Sequence, residues 1–271
     1  MMIPKTIHYC WFGKGKKSEL IETCIKSWKK YCPDYEIIEW NEENFDINSN
    51  QFVKEAYENK KWAFVTDFVR LYVLDKYGGI YMDTDVELLK SIDNYLDNHA
   101  FSGFETKNKI PTAIMGAEKN NEWIKYLLSY YEDRSFYTPE GKLDTTTNIE
   151  IITEMTKAKY NVILDGTEQE VNGIFKLYPQ DYFCPKDYTT GSINLTDNTT
   201  CIHHFSASWH SKIEKKMHDK KVYYIKKFGK EIGEKKYANW CRRAKLEIHI
   251  RKYGIKAVLE NIVKKILGKK K

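Results

Sequence analysis

No Cys-x-x-Cys pair occurs among the six cysteines, Cys10, Cys24, Cys32, Cys184, Cys201 and Cys241. That spacing argues against a zinc-ribbon site and a thioredoxin-type redox motif, so buried free thiols in a reducing compartment are the expectation. No run approaches the roughly 20 apolar residues that a bilayer-spanning helix needs. The N-terminal stretch Met1-Met2-Ile3-Pro4-Lys5 is followed by an apolar segment broken at His8, and it lacks a small-residue cleavage site. A cytoplasmic protein, or one peripheral on the inner face of the cytoplasmic membrane, is therefore expected. Internal repeats are missing as well, which sets solenoids and propellers aside.

What is present is a chain of 271 residues, enough for one large domain or a domain with an appendage. Apolar residues make up 42% and charged residues 30%, the balance of a core with a solvated surface. Aromatics reach 14%, with 20 Tyr and 7 Trp, flat groups that fill a core or stack on rings. The net charge of +6 is unevenly placed: Ser211 to Lys271 carries 21 Lys and Arg against 6 Asp and Glu, or +15, leaving −9 on residues 1–210. We therefore divide the chain into a domain over 1–210 and a basic, mostly helical extension over 211–271.

Strand-like and helix-like segments alternate along the first part, the pattern of an α/β sheet. Residues 3–12 read as a strand, Ser18 as the cap of a helix through Trp28, and Tyr35–Trp40 as a second strand. Residues 50–59 form a helix in this reading. Trp62 to Tyr77 is the strongest helix, stopped by Gly78-Gly79, which accept the left-handed conformation at a helix end. Ile80-Tyr81-Met82 is a short buried strand running into Asp83, and Val86–Leu89 is extended. Further on, strands are expected at 113–117, 161–164 and 201–205, and helices at 120–131 and 147–157. The tail predicts an amphipathic helix over Ile250–Leu267, suited to an anionic membrane surface or to packing on the domain. Its charge comes with no recognised nucleic-acid module, so nucleic acid is not an expected partner.

Asp83-Thr84-Asp85 ends a buried strand, where two carboxylates converge and offer hard oxygen ligands to Mg²⁺ or Mn²⁺. A cation held there neutralises a diphosphate. Asp67 and Arg70 lie three apart on the preceding helix and share a face. Two charges inside an apolar helix need partners; they serve either a ligand or a structural pair. His203 and His204 point to opposite faces of one strand, so only one of them reaches a site.

Together these residues resemble a known family. Ala63-Phe64-Val65-Thr66-Asp67-Phe68-Val69-Arg70, with Tyr77-Gly78-Gly79-Ile80-Tyr81-Met82-Asp83-Thr84-Asp85, is similar to the DXD-containing sugar-binding region of glycosyltransferase family 32. That family includes yeast α-mannosyltransferases and bacterial capsule and lipopolysaccharide enzymes, and the glucosylating domains of large clostridial toxins are distantly like it. The opening Ile3 to Gly13 resembles the family's first strand and loop. The match runs over residues 3–90, with one further anchor at 204–209.

The resemblance implies a GT-A-type nucleotide-sugar-binding domain, a mixed sheet flanked by helices. It also implies a retaining, metal-dependent transfer, by front-side attack with no protein base, from a nucleoside-diphosphate sugar. A UDP-hexose is favoured and a GDP-sugar is the second choice. The acceptor is a saccharide, free or lipid-linked, in bacterial capsular polysaccharide or lipopolysaccharide synthesis. Trp11 would stack on the base and Tyr81 would contact nucleotide or sugar. Asp67 and Arg70 would hold sugar hydroxyls and a phosphate oxygen, and Asp83 would touch the ribose and reach the metal through water. Asp85 would bind the metal directly, His204 would complete its ligands, and Ser208 and Trp209 would meet the departing phosphates. At Asp144 to Asn148 the chain lacks the Gly-Pro that precedes a helix in relatives, so neither Thr147 nor Asn148 is given a role.

Two rival readings use the same residues. Asp83-Thr84-Asp85-Val86 also satisfies the nucleophile motif of haloacid-dehalogenase phosphatases, but it stands about 80 residues too late for that fold. A non-catalytic sugar- or membrane-surface-binding protein leaves Asp67, Arg70, Asp83 and Asp85 without a task.

Overall fold

The computed structural model describes residues 2–110, 113–206 and 212–244. The chain divides into two compact units, Met1–Asp187 with Ser192–Trp209, and Tyr188–Gly191 with His210–Lys271.

The first unit opens with β1 (Thr6–Cys10), crosses through α1 (Glu19–Tyr31) and returns as β2 (Glu36–Trp40), parallel to β1. Ser18 caps α1 by accepting the Ile21 N–H. Glu19 and Glu22 sit in its first turn and Lys29 and Lys30 in its last, each sign matched to the helix dipole. Next come α2 (Gln51–Glu58), α3 (Trp62–Tyr77) and β3 (Gly79–Met82), which pairs with β1 on its other edge, again parallel. The remaining elements are β4 (Val86–Leu88), β5 (Ala100–Gly103), β6 (Ile114–Ala117), α4 (Glu122–Leu128), α5 (Asn148–Tyr160), β7 (Gln169–Val171), β8 (Phe175–Tyr178), α6 (Gln180–Phe183) and β9 (Cys201–His203). The main sheet runs β2-β1-β3-β6-β5-β8-β7, and β4 and β9 form a separate antiparallel pair. β6 is antiparallel to β3 and β5, whereas β8 is parallel to β5, so the sheet is mixed, as expected.

Alternation along the strands sorts side chains between two cores. Ile7, Tyr9, Ile80 and Met82 join one apolar cluster with Trp28, while Cys10 and Tyr81 join the cluster built on α2, α3 and α4. Helix α3 is apolar nearly all round and buries Val65, Phe68, Val69, Leu71, Val73 and Leu74, together with Asp67 and Arg70. Gly78 (φ 70) and Gly79 (φ 101) turn the chain from α3 straight into β3. A Cβ on Gly79 would lie 2.7 Å from the Thr6 carbonyl oxygen, so only glycine passes this close to β1.

Beneath that turn His8 is wholly buried. Trp40 donates to its Nδ1 at 3.1 Å, and its Nε2 meets the Gly78 carbonyl at 2.9 Å. The neutral ring with hydrogen on Nε2 satisfies both contacts, whereas an imidazolium would turn an N–H against the indole. Burial pushes the His8 pKa down to about 4, from an ordinary value of 6.5. The unfolded chain therefore binds the extra proton first, and stability contributed by His8 is lost as pH falls from 6.5 through 4. We expect a loss on the order of 3 kcal/mol across that window, read as urea midpoints at stepped pH. His8→Asn should flatten that dependence.

The expected strand at 161–164 does not form. Asn161 caps α5 in the left-handed conformation, and the Ile163 N–H and carbonyl are both taken by the Gln169 side chain rather than by a neighbouring strand. Strands β5, β7 and β8 were not anticipated. The helix expected at 120–131 is α4 followed by a single 3₁₀ turn, Ser129–Tyr131. All six cysteines are free thiols and five are buried; Cys241 is partly exposed.

In the second unit α7 (Lys212–Phe228) is followed by a helical stretch over 230–244, with Gly229 (φ 76) between them. Tyr188 stacks on His218 there, ring centroids 4.4 Å apart. The amphipathic helix expected over Ile250–Leu267 lies outside the described residues. Among the described residues no helix is long and apolar enough to cross a membrane.

Candidate active site

The site lies at the carboxyl end of β3, where the chain leaves the main sheet. Tyr81 and Asp83 are two apart and point to the α3 side of the sheet, and the Tyr81 hydroxyl donates to Asp83 Oδ1 at 2.9 Å. From α3, Arg70 reaches the same oxygen at 3.4 Å and Asp67 Oδ1 at 3.0 Å, its guanidinium 4.7 Å from the centre of the Tyr81 ring. One buried cation thus serves two carboxylates. Burial pushes the Asp67 carboxyl up to about 7; Arg70 draws it down and Asp83 pushes it up again. Burial works against the Arg70 charge too, but Asp83, Tyr81 and Asp67 together keep it firmly protonated.

Asp85 faces a different neighbour. The pairing of β4 with β9 sets Val86 opposite His203, which brings His203 Nε2 to 3.4 Å from Asp85 Oδ1. Phe205 adopts a left-handed backbone (φ 53), and just beyond it the Ser206 N–H donates to Asp85 Oδ2 at 2.6 Å. Burial alone would raise the Asp85 pKa, but the His203 charge, the His203 contact and the Ser206 N–H outweigh it and hold the carboxyl well below the carboxylate range. The α1 helix fastens this ribbon: Trp28 Nε1 donates to the Val86 carbonyl at 2.7 Å, and Ser27 Oγ accepts the Leu88 N–H at 2.9 Å. These side chains satisfy backbone groups of β4 that no further strand pairs.

Asp83, Asp85 and His203 each bring a ligand atom within 4.8 Å of the others. Two carboxylate oxygens and one imidazole nitrogen form a donor set that a divalent cation could occupy.

Here the structure corrects the sequence reading. His203, not His204, stands with the aspartates, because residue 203 lies in register with Val86 on the Asp85 side. His204 turns the other way, its Nε2 2.7 Å from Glu87 Oε2, and only its backbone N–H reaches the Asp85 carbonyl. The outcome is testable. His203→Ala should weaken Mn²⁺ binding by roughly tenfold or more, whereas His204→Ala should leave it nearly unchanged by calorimetric titration.

Trp11 follows β1, its backbone N–H held by Trp40 and its indole N–H by the Gly15 carbonyl at 2.6 Å. Lys17 Nζ lies 5.4 Å from its ring. Ser208 and Trp209 lie outside the described residues.

Two groups were given no role in the sequence reading. Asn148, the first residue of α5, is buried beside Asp67; its Oδ1 accepts from Tyr131 at 3.3 Å, and its side-chain amide helps draw the Asp67 carboxyl down. Glu105 and Cys184 converge on the far side of His203. Asn148 was given no role because the Gly-Pro of relatives is missing before it, and nothing local in the sequence ties residues 105 and 184 to the Asp-x-Asp.

Residues 18–102 match the family model of the glycosyltransferase sugar-binding region containing a DXD motif, and Asp83-Thr84-Asp85 is the DXD in that stretch. Among curated proteins the chain is similar to inositol phosphoceramide mannosyltransferase 3 of Schizosaccharomyces pombe, 30% identical over 130 residues, 45% of this chain and 35% of that protein. It is also similar to mannosyl phosphorylinositol ceramide synthase SUR1 of Saccharomyces cerevisiae, 30% identical over 152 residues, 51% of this chain and 37% of that one. The matched stretch thus spans little more than a third of these relatives. Among solved structures it is similar to the PaToxG glycosyltransferase (TM-score 0.48, 20% identity, 59% of this chain and 70% of that chain). A glycosyltransferase involved in the glycosylation of the major capsid of PBCV-1 is similar as well (TM-score 0.41, 13% identity, 79% of this chain and 98% of that chain).

Proposed function

We propose that this chain is a retaining glycosyltransferase that moves a hexose from a nucleoside-diphosphate sugar to a saccharide acceptor. The observation that carries the reading is the meeting of His203 with Asp83 and Asp85 beside the Asp67–Arg70 pair, the last four of these residues lying in the stretch that matches the DXD model. Asp83, Asp85 and His203 are the residues that would hold the cation, with Mn²⁺ preferred over Mg²⁺ on their donor set. Bound there, it would supply Lewis-acid neutralisation of the diphosphate.

The chain's own residues do the rest. Arg70 is a buried positive charge held between Asp67 and Asp83, placed to stabilise a phosphate or glycosidic oxygen as charge develops there. Asp67 accepts sugar hydroxyls, and the Asn148 side-chain amide beside it offers them a donor. Trp11, held by Gly15 and Lys17, presents a flat face for the base.

The donor is a UDP-hexose, with a GDP-sugar as the alternative; the names of the relatives point to mannose as the hexose. Those names also refer to inositol phosphoceramide acceptors, so a lipid-linked acceptor is carried beside the bacterial capsular or lipopolysaccharide product that the sequence resemblance implies. The basic extension would dock such an enzyme on an anionic membrane surface.

Incubation with UDP- and GDP-hexoses and Mn²⁺ tests the reading. Release of nucleoside diphosphate, stopped by a chelator, is the expected result. Release of inorganic phosphate from phosphomonoesters, with no turnover of any nucleotide sugar, would sink it in favour of a phosphatase.

A further inference from the structure

His203 is engaged on both edges of its ring. Nε2 faces Asp85, and Nδ1 lies 4.0 Å from Sγ of Cys184. Glu105 completes a second set, in which a carboxylate oxygen, the thiol sulfur and an imidazole nitrogen all lie within 4.8 Å of one another. The three come from separate parts of the fold and each is anchored by its backbone. Glu105, just after β5, donates its N–H to the Lys109 carbonyl at 2.8 Å, and Cys184, just after α6, donates to the Gln180 carbonyl at 2.8 Å. His203 is fixed by its pairing with Val86. Cys184 is buried, while Glu105 and His203 are partly buried.

The chemistry of this set differs from that of its neighbour. Thiolate, imidazole and carboxylate with one position open form a zinc-type donor set, and the soft sulfur disfavours Mn²⁺ and Mg²⁺. We propose that Glu105, Cys184 and His203 form a second, zinc-selective cation site that competes with the Asp83–Asp85 site for His203. A neutral imidazole has one nitrogen lone pair to give. When Nδ1 takes a metal, Nε2 carries the hydrogen and turns an N–H toward Asp85. The two sites therefore cannot both hold the ring as a neutral ligand. Zinc binding forms a Zn–S bond, releases the Cys184 thiol proton to water and involves no redox change. Its consequence, zinc inhibition of a manganese-dependent transfer, rests on the transferase reading; the site itself does not.

Titration of the full chain with Co²⁺, a spectroscopic stand-in for Zn²⁺, tests the site without any turnover. Wild type should show a thiolate-to-cobalt charge-transfer band saturating at one equivalent and bleached by Zn²⁺. The band should be lost in Cys184→Ser, persist in Asp85→Asn, and require more cobalt in Glu105→Gln, a substitution at a less buried position. No band in wild type, a full band in Cys184→Ser, or wild-type affinity in Glu105→Gln overturns the assignment. In the turnover assay, Zn²⁺ added over Mn²⁺ should suppress nucleoside diphosphate release in wild type and not in Cys184→Ser. If no nucleotide sugar turns over at all, the transferase reading fails and the cobalt band still decides the site.

Discussion

Asp85→Ala is expected to abolish release of nucleoside diphosphate from a nucleotide sugar, by about a thousandfold or more, on the order of 4 kcal/mol of transition-state stabilisation. Asp85 is the carboxylate whose surroundings prepare it for a cation. It is 7% exposed, it is held ionised by His203 and Ser206, and it shares the ligand cluster with Asp83. Alanine removes a hard ligand and leaves His203 without its partner. The folded structure should tolerate the change better than the reaction does, because the ribbon carrying Asp85 stays fastened by Trp28 and Ser27. Steady-state rates beside a thermal melt separate the two effects. A variant with near-normal turnover would remove the cation from the account.

Arg70→Met should behave differently, striking stability and activity together. Arg70 is 4% exposed and neutralises Asp67 and Asp83 at once. Its loss leaves two carboxylates without their cation in a low-dielectric site, at about 3–5 kcal/mol of stability. Part of that cost is recovered by protonation of Asp67, whose pKa already stands near 7. The destabilisation should therefore be larger at pH 8 than at pH 5.5, the direction opposite to that expected from His8. Arg70→Lys keeps the charge but not the planar fork that spans both carboxylates, so it should regain stability without regaining activity. Urea midpoints at the two pH values, with rates for both variants, check this. Equal destabilisation at both values would mean that Arg70 does not balance Asp67 and Asp83 as described.

The parts of this site that could be read in the sequence are those encoded by neighbours along the chain. The apolar density of 62–77, the Gly78-Gly79 stop and the run Ile80-Tyr81-Met82 into Asp83 are local signals, and they placed α3, β3 and the Asp67–Arg70 face. The choice between His203 and His204 was not local. It depends on the register of β9 against β4, which sets residue 203 opposite Val86; spacing to Trp209 pointed to His204, whereas His203 is the ring beside Asp85. Strands β5, β7 and β8 are three or four residues long, too short for alternation to distinguish them from loops. The segment at 161–164 has strand-like residues, yet the Gln169 side chain claims its backbone groups. Glu105, Asn148 and Cys184 are brought in by connections that no spacing rule foresees.

Binding of Mn²⁺ in the presence of UDP or GDP, followed by electron paramagnetic resonance of the free ion, tests the pocket itself before any acceptor is known. One Mn²⁺ should be taken up per chain, more tightly with nucleoside diphosphate than without it, and uptake should vanish in Asp85→Asn. Uptake that ignores the nucleotide, or survives unchanged in that variant, would show that Asp83, Asp85 and His203 are not where a diphosphate meets its cation.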